Sequence, residues 1–322
     1  MKNNEKGLKL IVQIPAYNEQ DSIAEVIKSI PRKIQGISEV KVLIIDDGSI
    51  DKTIELSKQA GADYIISNGN NKGLAFTFQR GLNEALKLGA DIIVNTDADN
   101  QYNQKEISKI VQPIIEGKAE IVSGDRGVKD LDHMIWIKKR ANLVSTSIIA
   151  SASNQNIKDA SSGFRAFSKE AALRLFVLSN HTYTHETLIQ GAHKKLRILE
   201  VPIEFKRREK GESRLITSKW MHTKRSLSTI FRTTLMYRPL EAFSKLGLSL
   251  ILIGLIPYLR WIWYMYYGPG GDHIQSLLIG VVLIIFGGFS LIVGLLADLT
   301  SINRRYLEEI LYKIKKIEIG GK

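Results

Sequence analysis

Residues 85–99 read Ala85-Leu86-Lys87-Leu88-Gly89-Ala90-Asp91-Ile92-Ile93-Val94-Asn95-Thr96-Asp97-Ala98-Asp99: a helix-like stretch ending at a glycine, an apolar run, then two carboxylates. Glycine just past a helix supplies the left-handed residue that closes it, and the apolar run behind such a stop has the length and composition of a buried strand. The same punctuation recurs at Lys58 to Gly61 before Tyr64 to Ser67, and at Ile114 to Gly117 before Ile121 to Gly124. With further strands at Leu8 to Ile14 and Val40 to Ile45, β and α elements alternate across residues 1–125. That alternation predicts an α/β fold with a mostly parallel sheet covered by helices. Asn103 followed by Glu106 predicts a capping box opening a helix that runs through Ile115. No internal repeat or low-complexity segment stands out.

The character of the chain changes from Phe243 onward. Leu246 to Tyr267 and Leu277 to Leu299 are apolar runs of 22 and 23 residues, each long enough to cross about 30 Å of hydrocarbon. Pro257 and Arg260 interrupt the first, while Trp261, Trp263, Tyr264, Tyr266 and Tyr267 crowd its far end. They resemble an interfacial aromatic belt to which Arg260 can snorkel. The connecting loop, Gly268 to Ser276, has no Lys or Arg, whereas Lys206 to Arg238 holds ten of them against two Glu. Arg304, Arg305, Lys313, Lys315 and Lys316 follow the second run. Both flanks are therefore expected inside and the loop outside, with Thr217 to Leu235 an amphipathic helix on the inner leaflet. The expected organisation is a catalytic domain over 1–214, a basic juxtamembrane segment over 215–242, two spans over 243–299 and a basic tail over 300–322, with both termini cytoplasmic.

At 322 residues and 44% hydrophobic composition the chain is long enough for a sizeable core. The absence of cysteine excludes a disulfide framework, a thiolate metal site and a thiol nucleophile. Met1 to Lys9 is polar and the apolar stretch behind it is too short for a secretory signal. The net charge of +12 invites a nucleic-acid reading, but residues 1–205 carry only +2 of it and residues 206–322 carry +10, beside the apolar runs. Basic charge there is what a membrane surface calls for, so no nucleic-acid partner is expected.

In parallel sheets ligands gather at the carboxyl ends of strands. Three polar clusters sit there: Pro15-Ala16-Tyr17-Asn18-Glu19, Asp46-Asp47-Gly48-Ser49, and Asp97-Ala98-Asp99 with Gln101. Taken alone, the second is a turn and helix cap. The third places two mutually repelling carboxylates directly after a strand, which a hard divalent cation completed by substrate phosphates would relieve. His181, His185 and His193 lack the spacing of a metal motif.

These clusters are followed in order by Asn71-Lys72-Gly73, Gly124-Asp125-Arg126, Asp159-Ala160-Ser161-Ser162-Gly163-Phe164-Arg165, and a stretch from Glu200 through Arg208 to Ser213-Arg214. In that order and spacing the chain resembles the inverting glycosyltransferases of family 2, in the branch of dolichyl-phosphate mannose synthase and the undecaprenyl-phosphate glucosyltransferases, from Lys9 to about Leu215. The resemblance implies a GT-A type nucleotide-sugar-binding domain. It assigns Pro15, Tyr17, Glu19, Asp46, Asp47, Lys72 and Ala98 to the donor nucleotide, and Asp97, Asp99 and Gln101 to Mg²⁺ or Mn²⁺ on the donor diphosphate. Arg208, with Asp97 and Asp99, belongs to catalysis through charge on the departing nucleoside diphosphate. Arg126, Arg140, Ser145, Ser162 and Arg214 belong to the lipid phosphate, since Arg offers a planar fork to phosphate oxygens; for Arg140 the alternative is a solvated basic run. Asp159 and Glu186 are acceptor-side or structural residues.

Two positions depart from the family pattern. Asp125 stands where relatives often have Ser, and Arg214 where Lys is common. No Gln-x-x-Arg-Trp occurs, which argues against the processive cellulose and chitin synthase branch. The implied reaction transfers a hexose from UDP-glucose or GDP-mannose to a dolichyl or undecaprenyl phosphate, with inversion. A phosphate monoester is already anionic at neutral pH, so no general base is needed. The partners implied are a nucleotide diphosphate sugar, a polyprenyl phosphate and the bilayer; a homo-oligomer is compatible with the sequence. The alternatives are a family 2 transferase acting on a soluble or glycan acceptor, and a catalytically inactive membrane scaffold that binds nucleotide sugar.

Overall fold

The computed structural model of the chain describes residues 7–127, 157–177, 183–206, 235, 239–268 and 273–320. Arg140, Ser145, Arg208, Arg214 and all but the last residue of the expected helix Thr217–Leu235 lie outside them. The chain divides into two compact units, Met1–Phe231 with Leu311–Lys322, and Arg232–Ile310.

The first unit is built on seven strands: β1 (Leu8–Ala16), β2 (Ile37–Asp46), β3 (Tyr64–Ser67), β4 (Ile92–Asn95), β5 (Ile121–Asp125), β6 (Arg165–Ser168) and β7 (Ile198–Pro202). They form one sheet in the order β3-β2-β1-β4-β6-β5-β7, with β6 antiparallel to both neighbours and every other pairing parallel. Both faces are covered. Leu10, Val12 and Ile14 of β1 join one apolar cluster with α1 (Ile23–Ser29) and α4 (Ile107–Ile115), while Ile11 joins another with α3 (Leu74–Lys87). Consecutive strand residues point to opposite faces, so a strand covered on both sides must be apolar throughout, and the unbroken runs in the sequence have that cause. Helices α2 (Thr53–Gln59), α5 (Lys169–Arg174) and α6 (Thr184–His193) also belong to the unit. The mostly parallel α/β architecture expected from the sequence is what forms.

The three glycine stops hold: Gly61, Gly89 and Gly117 take φ of +94°, +82° and +68°. The capping box does not. Asn103 accepts from the Lys105 N–H, but a 3₁₀ turn, Gln104–Glu106, precedes α4. The Glu106 carboxylate turns away from Asn103 to accept the Glu204 N–H at 2.7 Å, and Asn103 Nδ2 donates to Glu204. A tertiary partner 98 residues away has displaced the local one.

Two long helices follow, α7 (Pro239–Tyr267) and α8 (Ile274–Gly320). Both are long and apolar enough to cross a membrane, with mean hydropathies of 1.8 and 2.7. Their apolar stretches are only 11% and 22% buried, unlike core helices of that composition. Within the second unit they touch backbone to backbone: a Cβ added to Gly247 would stand 2.7 Å from the Gly287 carbonyl, and one on Gly280 2.8 Å from that of Gly254. Ser290 Oγ donates to the Phe243 carbonyl at 3.0 Å. Arg260 lies over the Tyr264 ring, 5.5 Å from its centroid, which keeps the charge within the aromatic cluster. No break marks the expected start of the tail at residue 300; α8 runs on to Gly320. Its end belongs to the first unit, where Tyr312 donates to Glu170 at 3.0 Å and Lys315 stands 4.1 Å from the Phe176 centroid.

Candidate active site

The register brings the first three motif clusters to one edge of the sheet. Ala16 pairs with Asp46, and Gln13 with Asn95, so the loops after β1, β2 and β4 leave side by side. Hydrogen bonds then stitch the first two loops together. The Asn18 N–H donates to Ser49 Oγ at 2.9 Å, the Ile50 N–H to Asn18 Oδ1 at 2.9 Å, and the Glu19 N–H to Thr53 Oγ1 at 2.9 Å. Asn18 sits at φ +53°, a conformation Asn tolerates better than most residues.

Asp46 and Asp47 are buried and occupied. The Asp46 carboxylate accepts the Gly48 and Ser49 N–H groups and the Ser67 hydroxyl, at 3.1, 3.1 and 2.8 Å. Asp47 accepts the Lys72 and Gly73 N–H groups at 2.9 Å each and Asn68 Nδ2 at 2.8 Å. These two carboxylates therefore shape the loops after β2 and before α3, and the Asn-Lys-Gly motif is explained by its backbone N–H groups. Gly48, at φ +82°, lies where a Cβ would be 2.7 Å from the Asn70 backbone. The Lys72 ammonium stands over the Phe76 ring. Pro15 is buried in β1, Tyr17 is half-buried at its end, and the Ala98 carbonyl accepts the Ser22 hydroxyl at 2.7 Å.

Asp97 and Asp99 follow β4 at the centre of the sheet. Burial raises the Asp97 carboxyl to about 7; the charges of Asp99 and Glu19 push the same way and Arg126 opposes them. Asp99 Oδ1 accepts the Gln101 N–H at 3.2 Å, while Gln101 Nε2 donates to the Lys206 carbonyl at 3.2 Å. Tyr102 bridges to Phe205, and Glu200 on β7 accepts the N–H groups of Lys158 and Asp159 at 2.6 and 2.9 Å. The Glu200 to Phe205 stretch thus ties the Asp97 loop to the Asp159 loop, and leads in sequence to Arg208.

Across from these carboxylates, Arg126 makes a two-pronged pair with Asp159, Nε to Oδ2 at 2.6 Å and Nη2 to Oδ1 at 2.9 Å, plus a bond to Ser161 Oγ at 2.5 Å. The Asp159 side chain is fully buried and that of Arg126 10% exposed. Burial alone would raise the Asp159 carboxyl, but the Arg126 bonds and charge hold it below the usual range. Arg126 is therefore a neutralised cation; it would meet a phosphate only with part of its donor set. Ser162 is buried with its Oγ unpartnered among the described residues. Glu186 lies buried in α6 and accepts Gln190 Nε2 at 3.1 Å, and His185 is buried beside it.

Several residues to which the sequence reading gave no role stand at the centre. Arg165, within the Asp159 to Arg165 motif, is fully buried; it donates to Ser123 Oγ, Thr187 Oγ1 and the carbonyls of Ala160 and Thr184, and burial lowers it to about 10. Gln13 and Asn95 are fully buried and bonded to each other at 3.0 Å. Their signal in the sequence was a polar residue inside each of two otherwise apolar strands. Tyr102 and Tyr183, whose hydroxyls reach Gly163 and Asn95, carried no local signal.

No group of three or more His, Asp or Glu able to hold a metal occurs among the described residues. Asp97 and Asp99 supply two hard oxygen donors, and burial, with the charges of Asp99 and Glu19, raises the Asp97 carboxyl. That pair fits Mg²⁺ or Mn²⁺ when diphosphate oxygens complete the shell. Gln101, whose amide nitrogen is engaged with Lys206, has only its oxygen to add.

Residues 11–176 match the family model for glycosyl transferase family 2. Similar proteins include the UDP-N-acetylglucosamine–dolichyl-phosphate N-acetylglucosaminyltransferase of Methanococcus voltae, 35% identical over 59% of this chain and 83% of the relative. The dolichol-phosphate mannosyltransferase of Pyrococcus furiosus is 31% identical over 76% of this chain and 70% of the relative. Among solved structures, glucosyl-3-phosphoglycerate synthase from Mycobacterium tuberculosis superposes with a TM-score of 0.57 at 20% identity, over 71% of this chain and 81% of that one.

Proposed function

Since the chain belongs to glycosyl transferase family 2, we propose that it transfers one sugar from a nucleoside diphosphate sugar to a polyprenyl phosphate at the cytoplasmic face of a membrane. The observation that carries the proposal is the Asp97/Asp99 pair that follows the central strand, within electrostatic reach of the Arg126 side chain that pairs with Asp159. Relatives named for dolichyl phosphate acceptors, and the two apolar helices, support the lipid as acceptor.

The loops after β1 and β2, locked by Asp46 and Asp47, present Tyr17 and Glu19 to the nucleoside and hold the donor in one orientation. Asp97 and Asp99 would hold Mg²⁺ or Mn²⁺, which when bound neutralises charge on the diphosphate leaving group. Arg126 and Ser162 are proposed for the acceptor phosphate, with Arg140, Arg208 and Arg214 as further cations and Ser145 as a hydroxyl donor. The acceptor arrives as an anion, so attack by its phosphate oxygen on the anomeric carbon needs no proton removed. One bond forms to that oxygen as the bond to the diphosphate breaks, and an α-linked donor becomes a β-linked lipid phosphate. Rate comes from positioning and charge neutralisation.

Mass spectrometry of lipid extracts, after incubating membranes containing the protein with UDP-glucose, UDP-N-acetylglucosamine or GDP-mannose, tests this. One donor is expected to yield a glycosylated polyprenyl phosphate. Donor consumption with the sugar found only on a water-soluble or glycan acceptor would overturn it. The basic residues before α7 are proposed to hold the site at the anionic surface. Changing Lys219, Lys224 and Arg225 together to Gln is then expected to slow turnover more on anionic liposomes than in neutral detergent.

A further inference from the structure

Next to Gly163 lies a cluster of buried polar side chains that the proposed chemistry does not use. Gln13 and Asn95 are fully buried and Tyr183 is 1% exposed. Burying such groups costs free energy that apolar residues of the same size would not, so their presence calls for a reason. Their bonds converge on one residue. Gln13 Nε2 donates to Asn95 Oδ1, and Asn95 Nδ2 donates both to the Tyr183 hydroxyl at 2.8 Å and to the Gly163 carbonyl at 2.9 Å. From the other side the Gly163 N–H donates to the Tyr102 hydroxyl at 3.0 Å. Both backbone polar groups of Gly163 are thus held by side chains distant in sequence.

Gly163 in turn faces the proposed metal ligand. A Cβ built on it would stand 3.0 Å from each Asp97 carboxylate oxygen and 2.9 Å from the Tyr183 hydroxyl, closer than carbon and oxygen normally approach. The bare backbone of Gly163 is a wall against which the Asp97 carboxylate rests, and only glycine leaves room for it. We propose that Asn95, Tyr183 and Tyr102 are positioning residues that pin Gly163 and so fix the direction in which Asp97 presents its oxygens to the donor diphosphate and its cation. The proposal rests on the donor-site reading of Asp97 given above. Packing alone does not account for the arrangement, because the Tyr183 ring already stacks on Phe78 with centroids 3.8 Å apart and its hydroxyl adds nothing to that stack.

Mn²⁺ titrations of the full chain in detergent, followed by electron paramagnetic resonance with UDP and with GDP in separate series, test it beside metal-free nucleotide binding in EDTA and thermal unfolding. The wild type is expected to bind Mn²⁺ tightly with one of the two nucleotides, and Asp99→Ala to lose that binding. Tyr183→Phe, which keeps the stack on Phe78, is expected to weaken it about tenfold, and Gly163→Ala by more. Metal-free nucleotide binding should change less than about twofold in both, because the contacts proposed for base and ribose lie on the loops after β1 and β2. If Gly163→Ala does not fold, Tyr183→Phe decides alone. Wild-type Mn²⁺-nucleotide binding that Tyr183→Phe retains in full overturns the positioning role and leaves the functional reading standing. Loss of metal-dependent and metal-free binding to the same degree in Tyr183→Phe overturns it too, since that is the signature of a structural defect. A wild-type chain that binds neither nucleotide in a Mn²⁺-dependent way overturns the functional reading itself, and the positioning role with it.

Discussion

The loops at the two halves of the sheet handle buried charge in opposite ways. After β1 and β2, Asp46 and Asp47 are satisfied chiefly by backbone N–H groups, those of Asp46 lying two and three residues away. After β5 and before β6, Asp159 is satisfied by an ion pair with Arg126, 33 residues away, and Arg165 by hydroxyls and carbonyls from three separate segments. The first arrangement builds a rim from main-chain donors, two in the Asp46 turn itself and two at Lys72 and Gly73. The second welds distant segments through charges that are each costly to leave alone. Asp97 and Asp99 follow β4, between the two, and there burial and the charges of Asp99 and Glu19 raise the Asp97 carboxyl.

That last distinction carries the largest expected effect. Asp99→Ala should leave the fold intact and reduce transfer on the order of a thousandfold or more, because several kcal/mol of leaving-group stabilisation go with the cation. Chelation of divalent ions from the wild type should do the same. Full turnover by a metal-free preparation would remove the contrast between the proposed metal carboxylates and the structural ones.

Next come the two kinds of buried charge. Arg126→Ala leaves the Asp159 carboxylate buried without its main partner and should cost about 3–5 kcal/mol of stability. Asp46→Ala removes an acceptor from two N–H groups and a hydroxyl near solvent, and should cost about 1–3 kcal/mol. Equal losses in denaturant titrations would show that the Asp159 half of the sheet is no more interlocked than the Asp46 half. Beyond stability, Arg126→Ala should impair use of polyprenyl phosphate more than nucleotide binding, which separate titrations can read.

What was legible in the sequence follows the same division. The glycine stops, the apolar strand runs and the turn in which Asp46 accepts from Gly48 and Ser49 leave their signal within a few residues, and all could be read. Asn103 and Glu106 looked like a local box, yet Glu204, 98 residues from Glu106, competes successfully for that carboxylate. Asn95 meets Tyr183 across 88 residues, and nothing near either announces the partner. Arg126 read as a free phosphate clamp because its partner, Asp159, is visible only after β5 and β6 have paired. In the apolar segments, length predicted two helices correctly, but not that α8 continues past residue 300, since the charged residues that ended the apolar run do not interrupt a helix.

The smallest expected effect sets Asp159 and Glu200 against each other through pH. Asp159 has its carboxyl below the ordinary value near 3.9, so the unfolded chain binds the proton more readily. Its contribution is fully present above that value and is lost as pH falls from there through the folded-state value. Glu200, which holds the Lys158 and Asp159 N–H groups, has its carboxyl raised, by burial first and then by the nearby charges of Asp125 and Asp159. Here the folded chain binds the proton more readily, so stability rises as pH falls through the folded-state value towards the ordinary one near 4.3. Together they give a shallow gain on mild acidification followed by a loss below about pH 4. Glu200→Gln should flatten the gain and keep the loss, whereas Asp159→Asn should keep the gain and flatten the loss, in unfolding free energies measured from pH 7 to pH 3. Parallel profiles for both variants and the wild type would mean that neither carboxylate is linked to folding, and that the ion pair contributes geometry rather than stability.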